Sequence, residues 1–328
     1  MRYLINKSTD PYFNLALDDF ALKHIDLEED FFCLWQNEPS VIVGKNQNTF
    51  EEVNQRFIDT NNIKVARRVS GGGAVYHDLG NLNFTFIINV DEPGKVNVKK
   101  YVRPIIDALK DIGVDAEVSS RNDILFNGMK ISGNAQRMSK RKLMYHGTLL
   151  YDVKMENLSQ ALHVTEDKYV SNSVKSVRTK VTNIKEHLPN PTDILGFRNT
   201  LHFFLSDKGK DKEIVLSEKE TAKIQFDAIN RFSTWEWIYG QSPPFNVLSK
   251  KRYIEGSLEL RVFVDHGHIQ SVRFEGDYAG MADASIIEVK LKNTRFHRSD
   301  VNQRLSDLDL SQIFGSVTKA DILSLMFD

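Results

Sequence analysis

Residues 67–78 of the 328-residue chain read RRVSGGGAVYHD, with two arginines on one side of three consecutive glycines and Tyr-His-Asp on the other. Gly71, Gly72 and Gly73 carry no Cβ to restrict φ or to hold a ligand away, so their N–H groups can curl into a concave site for an anion. Arg67 and Arg68 add fixed positive charge beside that run. The P-loop needs a Gly-Lys-Ser/Thr ending and the dinucleotide fingerprint needs G-x-G-x-x-G. Neither pattern occurs here. Local composition leaves two readings open, an anion-binding loop and a tight turn between strands.

A second group of chemistry-bearing residues lies in 121–136, RNDILFNGMKISGNAQ. Two short apolar runs flank Asn127-Gly128, the pair that favours a type I′ hairpin turn. Alternation through Ile124, Phe126, Met129 and Ile131 puts Asp123 and Lys130 together on the polar side of that hairpin. Such a pair is either an ordinary surface ion pair, worth at most ~1 kcal/mol, or an oriented cation. Ser132-Gly133-Asn134 follows as another small-residue loop able to admit a ligand. His146, Gly147 and Thr148 then interrupt an apolar run, and a strand histidine there serves either packing or chemistry. Residues 163–182 are long, polar and basic, with Lys175, Arg178 and Lys180, as expected of a lid or a mobile loop.

The elements that must position these groups follow from periodicity. Asp10-Pro11 caps a helix over 14–25, with Leu15, Leu17, Phe20, Ala21 and Ile25 inward and Asp18 and Asp19 expected in solvent. The runs FFCLWQ and SVIVG read as a strand pair, leaving through the polar loop 44–48, whose Lys45 faces either solvent or a ligand. A helix near 51–59 precedes the glycine loop. Residues 81–90 follow as a strand with one face in the core, then a helix over 98–113. Helices near 192–205 and 218–232 lead to Ser242-Pro243-Pro244, read as a stiff linker, and to a hairpin around His266-Gly267 followed by helices.

Composition narrows the class. The 43 basic and 44 acidic residues balance, which argues against a chain held mainly by nucleic acid or an anionic membrane. No run approaches the ~18 apolar residues of a membrane helix, and the amino end lacks the apolar stretch of a signal peptide. The single cysteine, Cys33, cannot form an internal disulfide and reads as a buried strand position. A cytoplasmic protein is expected.

Taken together, RRVSGGGAVYHD, RND with Lys130-Ile131-Ser132-Gly133, HGTLL, KSVRTKVTNI and WEW..GQSPPF stand in the order and spacing of the single-chain bacterial lipoate–protein ligases, which the chain resembles from its amino end to about Phe245. The resemblance implies an α/β (α+β) fold, with the mixed-sheet catalytic domain of the biotin and lipoate ligases over 1–240, a linker over 241–250 and a small α/β accessory domain over 251–328. It also implies two steps. Lipoate, or octanoate, attacks the α-phosphate of ATP to give an acyl-adenylate and pyrophosphate, with Mg2+ as co-substrate. A lysine of a lipoyl domain, in a 2-oxoacid dehydrogenase acyltransferase subunit or the glycine-cleavage H protein, then takes the acyl group. A monomer is expected.

Carried over position by position, the resemblance makes Lys130 the central catalytic lysine, touching both the acyl carbonyl and the α-phosphate. It gives ATP and the adenylate to Arg68, Gly71, Gly72, Gly73, Ala74, Val75, Tyr76, Asn83, Asp123, Lys130, Lys175 and Arg178. It gives lipoate to Arg68, Ser70, Gly73, His77, Lys130, Ser132, Gly133, His146 and Gly147. Asp123 either helps hold Mg2+ or orients Lys130. The base that takes the acceptor lysine's proton is not assigned. Two rival readings make distinct demands. An ATP-independent octanoyl or lipoyl transferase of the cysteine type needs a reactive thiol near Lys130, whereas Cys33 stands in an apolar run. A non-catalytic lipoate- or nucleotide-binding module predicts a broken motif at Arg68 or Lys130, and both are intact.

Overall fold

The alternating run at 81–90 forms the strand Asn81–Asn89, which lies inside a six-stranded mixed sheet. From one edge the sheet runs Asn134–Ser139, Lys142–Leu150, Asn81–Asn89, Phe31–Trp35, Arg2–Leu4 and Glu213–Ile214. The first three pairings are antiparallel and the last two parallel. The computed structural model describes residues 1–25, 29–90, 97–119, 123–162, 168–177, 179–206, 208–210, 212–253, 256–276 and 284–328.

One face of this sheet presents Phe84, Phe86, Tyr145 and Leu149 to helices Lys99–Asp111 and Ile194–Leu205, making the main apolar core. The other face is also covered, contrary to the expectation of a half-solvated strand. Helix Pro11–His24, capped by Asp10, lies against it, and Asn81, Asn83 and Thr85 are buried. That helix is itself enclosed, because residues from Glu218–Asp227 and Ala228–Phe232 pack on its outer side. Asp19, on that outer side, is therefore only 5% exposed, and Asp18, on the inner side with its Oδ1 on the Thr85 hydroxyl, is 4% exposed, contrary to the expectation that both face solvent. Asp19 pairs with Lys23 at 2.6 Å and Arg231 at 2.8 Å.

The runs at 31–36 and 40–44 do not pair with each other. Phe31–Trp35 belongs to the six-stranded sheet, whereas Ser40–Val43 is the centre of a three-stranded sheet between Lys64–Arg67 and Val75–His77. Both runs are apolar on both faces, so each is suited to a strand with neighbours on two sides. A third sheet joins Glu117–Val118, Ile124–Phe126 and Met129–Ser132. The helix expected near 51–59 is two short ones, Thr49–Glu52 and Gln55–Thr60.

The chain divides into two compact units. The first comprises Met1–Lys45, Ile63–Leu162 and Ser176–Thr234, and the second Asn46–Asn62, His163–Lys175 and Trp235–Asp328. In the second, a four-stranded antiparallel sheet of Tyr169–Ser171, Phe245–Tyr253, Gly256–Asp265 and His268–Gly276 is joined by four helices between 285 and 327. Residues 241–250, expected as a linker, enter the strand at Phe245. Phe50 is the reason that 46–62 belongs here: its ring lies 5.0–6.1 Å from those of Trp235, Tyr239, Phe245 and Phe296. No helix among the described residues is long and apolar enough to cross a membrane.

Candidate active site

The glycine loop joins the two outer strands of the three-stranded sheet and is tied to its centre. Arg68 N–H donates to the Val43 carbonyl at 3.0 Å, and Lys45 N–H to the Ser70 carbonyl at 2.8 Å. The two segments approach so closely that a Cβ on Gly44 would stand 2.0 Å from the carbonyl oxygen of Gly72, whose φ is +93°. Glycine is required at both positions. The Arg68 guanidinium reaches the carbonyls of Ile42, Gly71 and Gly73 at 2.7–3.2 Å, shaping the loop from within. Arg67 is fully buried and donates to the Gly44 and Lys45 carbonyls. Burial, reinforced by the charge of Arg68, lowers its pKa to about 10.

The second group is the hairpin Ile124–Phe126 and Met129–Ser132. Asn127 and Gly128 have φ of 49° and 74°, the two positive values of a type I′ turn. Lys130 Nζ lies 3.0 Å from Asp123 Oδ1, both side chains mostly covered. The ammonium stands over Gly133, where an added Cβ would come within 3.0 Å of it. The backbone of Lys130 pairs with the segment 180–182, donating to Lys180 and accepting from Thr182. Gly133 is fixed by reciprocal bonds with Thr148 at 3.0 and 3.1 Å. The strand Asn134–Ser139 continues to the glycine loop, since Arg137 Nη1 donates to the Val69 carbonyl at 2.9 Å.

Two buried histidines border the loop. Asn37 accepts from Asn14 through Oδ1 at 2.8 Å, so its amide nitrogen faces His77 Nδ1 at 3.0 Å. The proton of neutral His77 therefore sits on Nε2, which has no partner among the described residues. Burial above all, then the charge of Arg68 and the neighbouring His146, depress the His77 pKa to about 3. Asn83 Nδ2 is likewise a buried donor without a partner there. Two such donors suit the oxygens of an anionic or carbonyl ligand. His146 joins Asp18 Oδ2 at 2.9 Å and Ser70 Oγ at 2.7 Å.

A loop closed on itself by arginine, an oriented lysine and two buried donors without a partner among the described residues are joined in one unit. The profile of the lipoyl protein ligase A/B catalytic domain matches residues 10–203, and that of the bacterial lipoate protein ligase C-terminus matches 242–326. The chain belongs to the lipoate–protein ligase family. It is 42% identical to lipoate-protein ligase LplJ of Bacillus subtilis over the whole of both chains. Among solved structures, this ligase superposes on P. falciparum LipL1 in complex with lipoate with a TM-score of 0.64 and 26% identity, covering 99% of this chain and 98% of that one. A lipoate-protein ligase A bound with ATP gives 0.61 at 26%, covering 73% and 98%. A bi-partite lipoate protein ligase of Thermoplasma acidophilum, solved in a study with its E2 lipoyl domain, gives 0.62 at 26%, covering 73% and 96%. The mixed α/β architecture is that of these ligases.

Within the ligase, the expected residues differ in how they are placed. Ser70, Gly71, Gly72, Gly73, Ala74 and Val75 form the loop, and Ala74 N–H donates to Ser176 Oγ at 2.8 Å. Tyr76, expected to contact ATP through its backbone, has its side chain in the core, 1% exposed. Ser132 Oγ turns to Asn134 at 3.2 Å, and Gly147 is the point where Asn134 and Phe84 approach the strand. Lys175 is exposed and falls in the second unit. Arg178, with Arg121 and Asn122 of the RND motif, lies outside the described residues. Sequence reasoning missed Asp18, Thr85, Asn37 and Gly44. Asp18 carried a signal, for it stands three residues after Leu15 and four before Leu22, both buried, on one helical face.

Proposed function

We propose that the protein attaches lipoate, or octanoate, to a lysine of lipoyl-carrier domains in two steps, through an acyl-adenylate made from ATP. The observation that carries this reading is the Lys130 ammonium, held 3.0 Å from Asp123 over Gly133 on a hairpin that leads into the strand Asn134–Ser139, whose Arg137 donates to the Val69 carbonyl beside the glycine loop. An ammonium so held stabilises negative charge developing on both carboxylate and α-phosphate as their bond forms. Loop N–H groups offer phosphate contacts that are neutral in charge, with the positive end of Arg68 behind them. His77 Nε2–H and Asn83 Nδ2 supply further donors. We assign the adenylation chemistry to this first unit.

Mg2+ usually binds by one or two carboxylates plus substrate phosphates. Asp123 fits the single-carboxylate role, and the ion would supply charge neutralisation on the triphosphate. The acceptors we propose are lipoyl domains of acyltransferase subunits and the glycine-cleavage H protein, supported by the E2 lipoyl domain studied with the Thermoplasma relative. We place the protein in the cytoplasm on its single buried thiol, and propose a monomer in keeping with the family resemblance.

A thiol-dependent transferase is disfavoured by Cys33. It lies in the buried strand Phe31–Trp35, and burial pushes its thiol pKa well up, away from the thiolate. Incubation with lipoate, Mg2+ and α-labelled ATP tests the proposal. Labelled adenylate, pyrophosphate release and acyl transfer to a lipoyl domain are expected. Acyl transfer from an octanoylated carrier without ATP, and no pyrophosphate, would favour the transferase.

A further inference from the structure

The helix Pro11–His24 brings Asp18 to the edge of the site, and the hydrogen bonds around it have a single consistent direction. Trp35 Nε1–H can only donate, and it reaches Thr85 Oγ1 at 2.9 Å. The Thr85 hydroxyl therefore turns its own proton to Asp18 Oδ1, at 2.8 Å. Asp18 Oδ2 accepts from His146 Nδ1 at 2.9 Å. With Nδ1 carrying the proton of neutral imidazole, Nε2 is bare and accepts the Ser70 hydroxyl at 2.7 Å. Ser70 Oγ is then left with its lone pairs, which meet no donor among the described residues. All of these side chains are buried, Ser70 at 1% and His146 at 6% exposed.

We propose that Ser70, His146 and Asp18 form the proton relay for the transfer step, Ser70 and His146 moving the proton and Asp18 positioning the histidine. This rests on the two-step ligase reading. As the acceptor amine attacks the adenylate carbonyl, the C–N bond forms and the nitrogen becomes acidic. Its proton passes to Ser70 Oγ while the Ser70 proton passes to His146 Nε2. The C–O bond to phosphate breaks, and AMP leaves with the electron pair. The imidazolium stays against the Asp18 carboxylate until it returns its proton to solvent. Burial closes the shorter route to bulk water, which would also hydrolyse the anhydride. Adenylate formation, in which a carboxylate attacks, needs no such base.

Asp18→Asn separates the two half-reactions in single turnover. Its adenylate formation should fall less than about tenfold, which also reports an intact fold, while transfer to the lysine of an isolated lipoyl domain falls ~10²–10⁴-fold, the scale of general base catalysis. Ser70→Ala, at a position also expected to bind lipoate, is read from preformed acyl-adenylate and should show the same loss in transfer to lysine. Hydroxylamine, a much weaker base whose nitrogen loses its proton to water unaided, should take the acyl group from preformed adenylate on wild type and Asp18→Asn at similar rates. Losses shared equally by adenylation, lysine transfer and hydroxylamine transfer would make the triad a packing device and overturn the relay. Unchanged lysine transfer in either variant would overturn it too. Wild-type protein that makes no adenylate would instead overturn the ligase reading, and the relay with it.

Discussion

At the residue scale, the fold holds His77 uncharged by enclosing it between Asn37, Trp35 and the arginine-shaped loop. Its pKa of about 3 lies below the ordinary value of 6.5. The unfolded chain therefore takes up this proton as pH falls through 6.5, whereas the folded chain resists until about pH 3. This residue's contribution to stability is constant above pH 6.5 and declines between 6.5 and 3, by ~1.4 kcal/mol per pH unit. From pH 7 to pH 5 wild type should lose about 2 kcal/mol that a His77→Gln protein does not. Urea unfolding of both proteins at the two pH values measures the difference, and parallel losses would contradict the buried neutral histidine. The motif showed that a histidine follows the glycines. It could not show which nitrogen is protonated, because Asn6, Asn14 and Asn37 set that from distant positions.

At the element scale, the three glycines are not equivalent. Gly72 needs its φ of +93° and stands against Arg68, whereas a Cβ on Gly71 would meet nothing within 4 Å. Gly72→Val should destabilise the protein by ~1–3 kcal/mol through backbone strain. Gly71→Val should leave stability nearly unchanged and weaken ATP binding by blocking approach to the loop. Thermal melts paired with ATP titration test both, and the reverse pattern would mean that Gly71 packs and Gly72 binds. The hairpin and its Asp123/Lys130 pair were legible from local sequence, because a type I′ turn and two-residue alternation fix them without help from elsewhere. Pairing between Phe31–Trp35 and Ser40–Val43 was misread because two adjacent apolar runs do not say which sheet each joins. The burial of Asp18 depends on Thr85 and His146 of the sheet beneath it, and that of Asp19 on helices some 200 residues away, neither of which the helix's own sequence announces.

At the scale of the whole molecule, two units are assembled from interleaved segments, and only the C-terminal part of the second was visible as a unit in the sequence. Phe50 and the strand Tyr169–Ser171 join it through an aromatic cluster and a three-residue ladder that no local pattern announces. The catalytic half was the more legible because its loops are strung on consecutive strands. The central proposal is that Lys130, held by Asp123, activates the acyl carboxylate toward ATP. Its removal takes away one partly covered ion pair, at a cost of about 1 kcal/mol or less. The direct measurement is pyrophosphate release from ATP in the presence of lipoate, by wild type and by Lys130→Ala at matched stability. Release by wild type and its loss from the Lys130→Ala protein is the expected result, and equal release by the two would contradict the account.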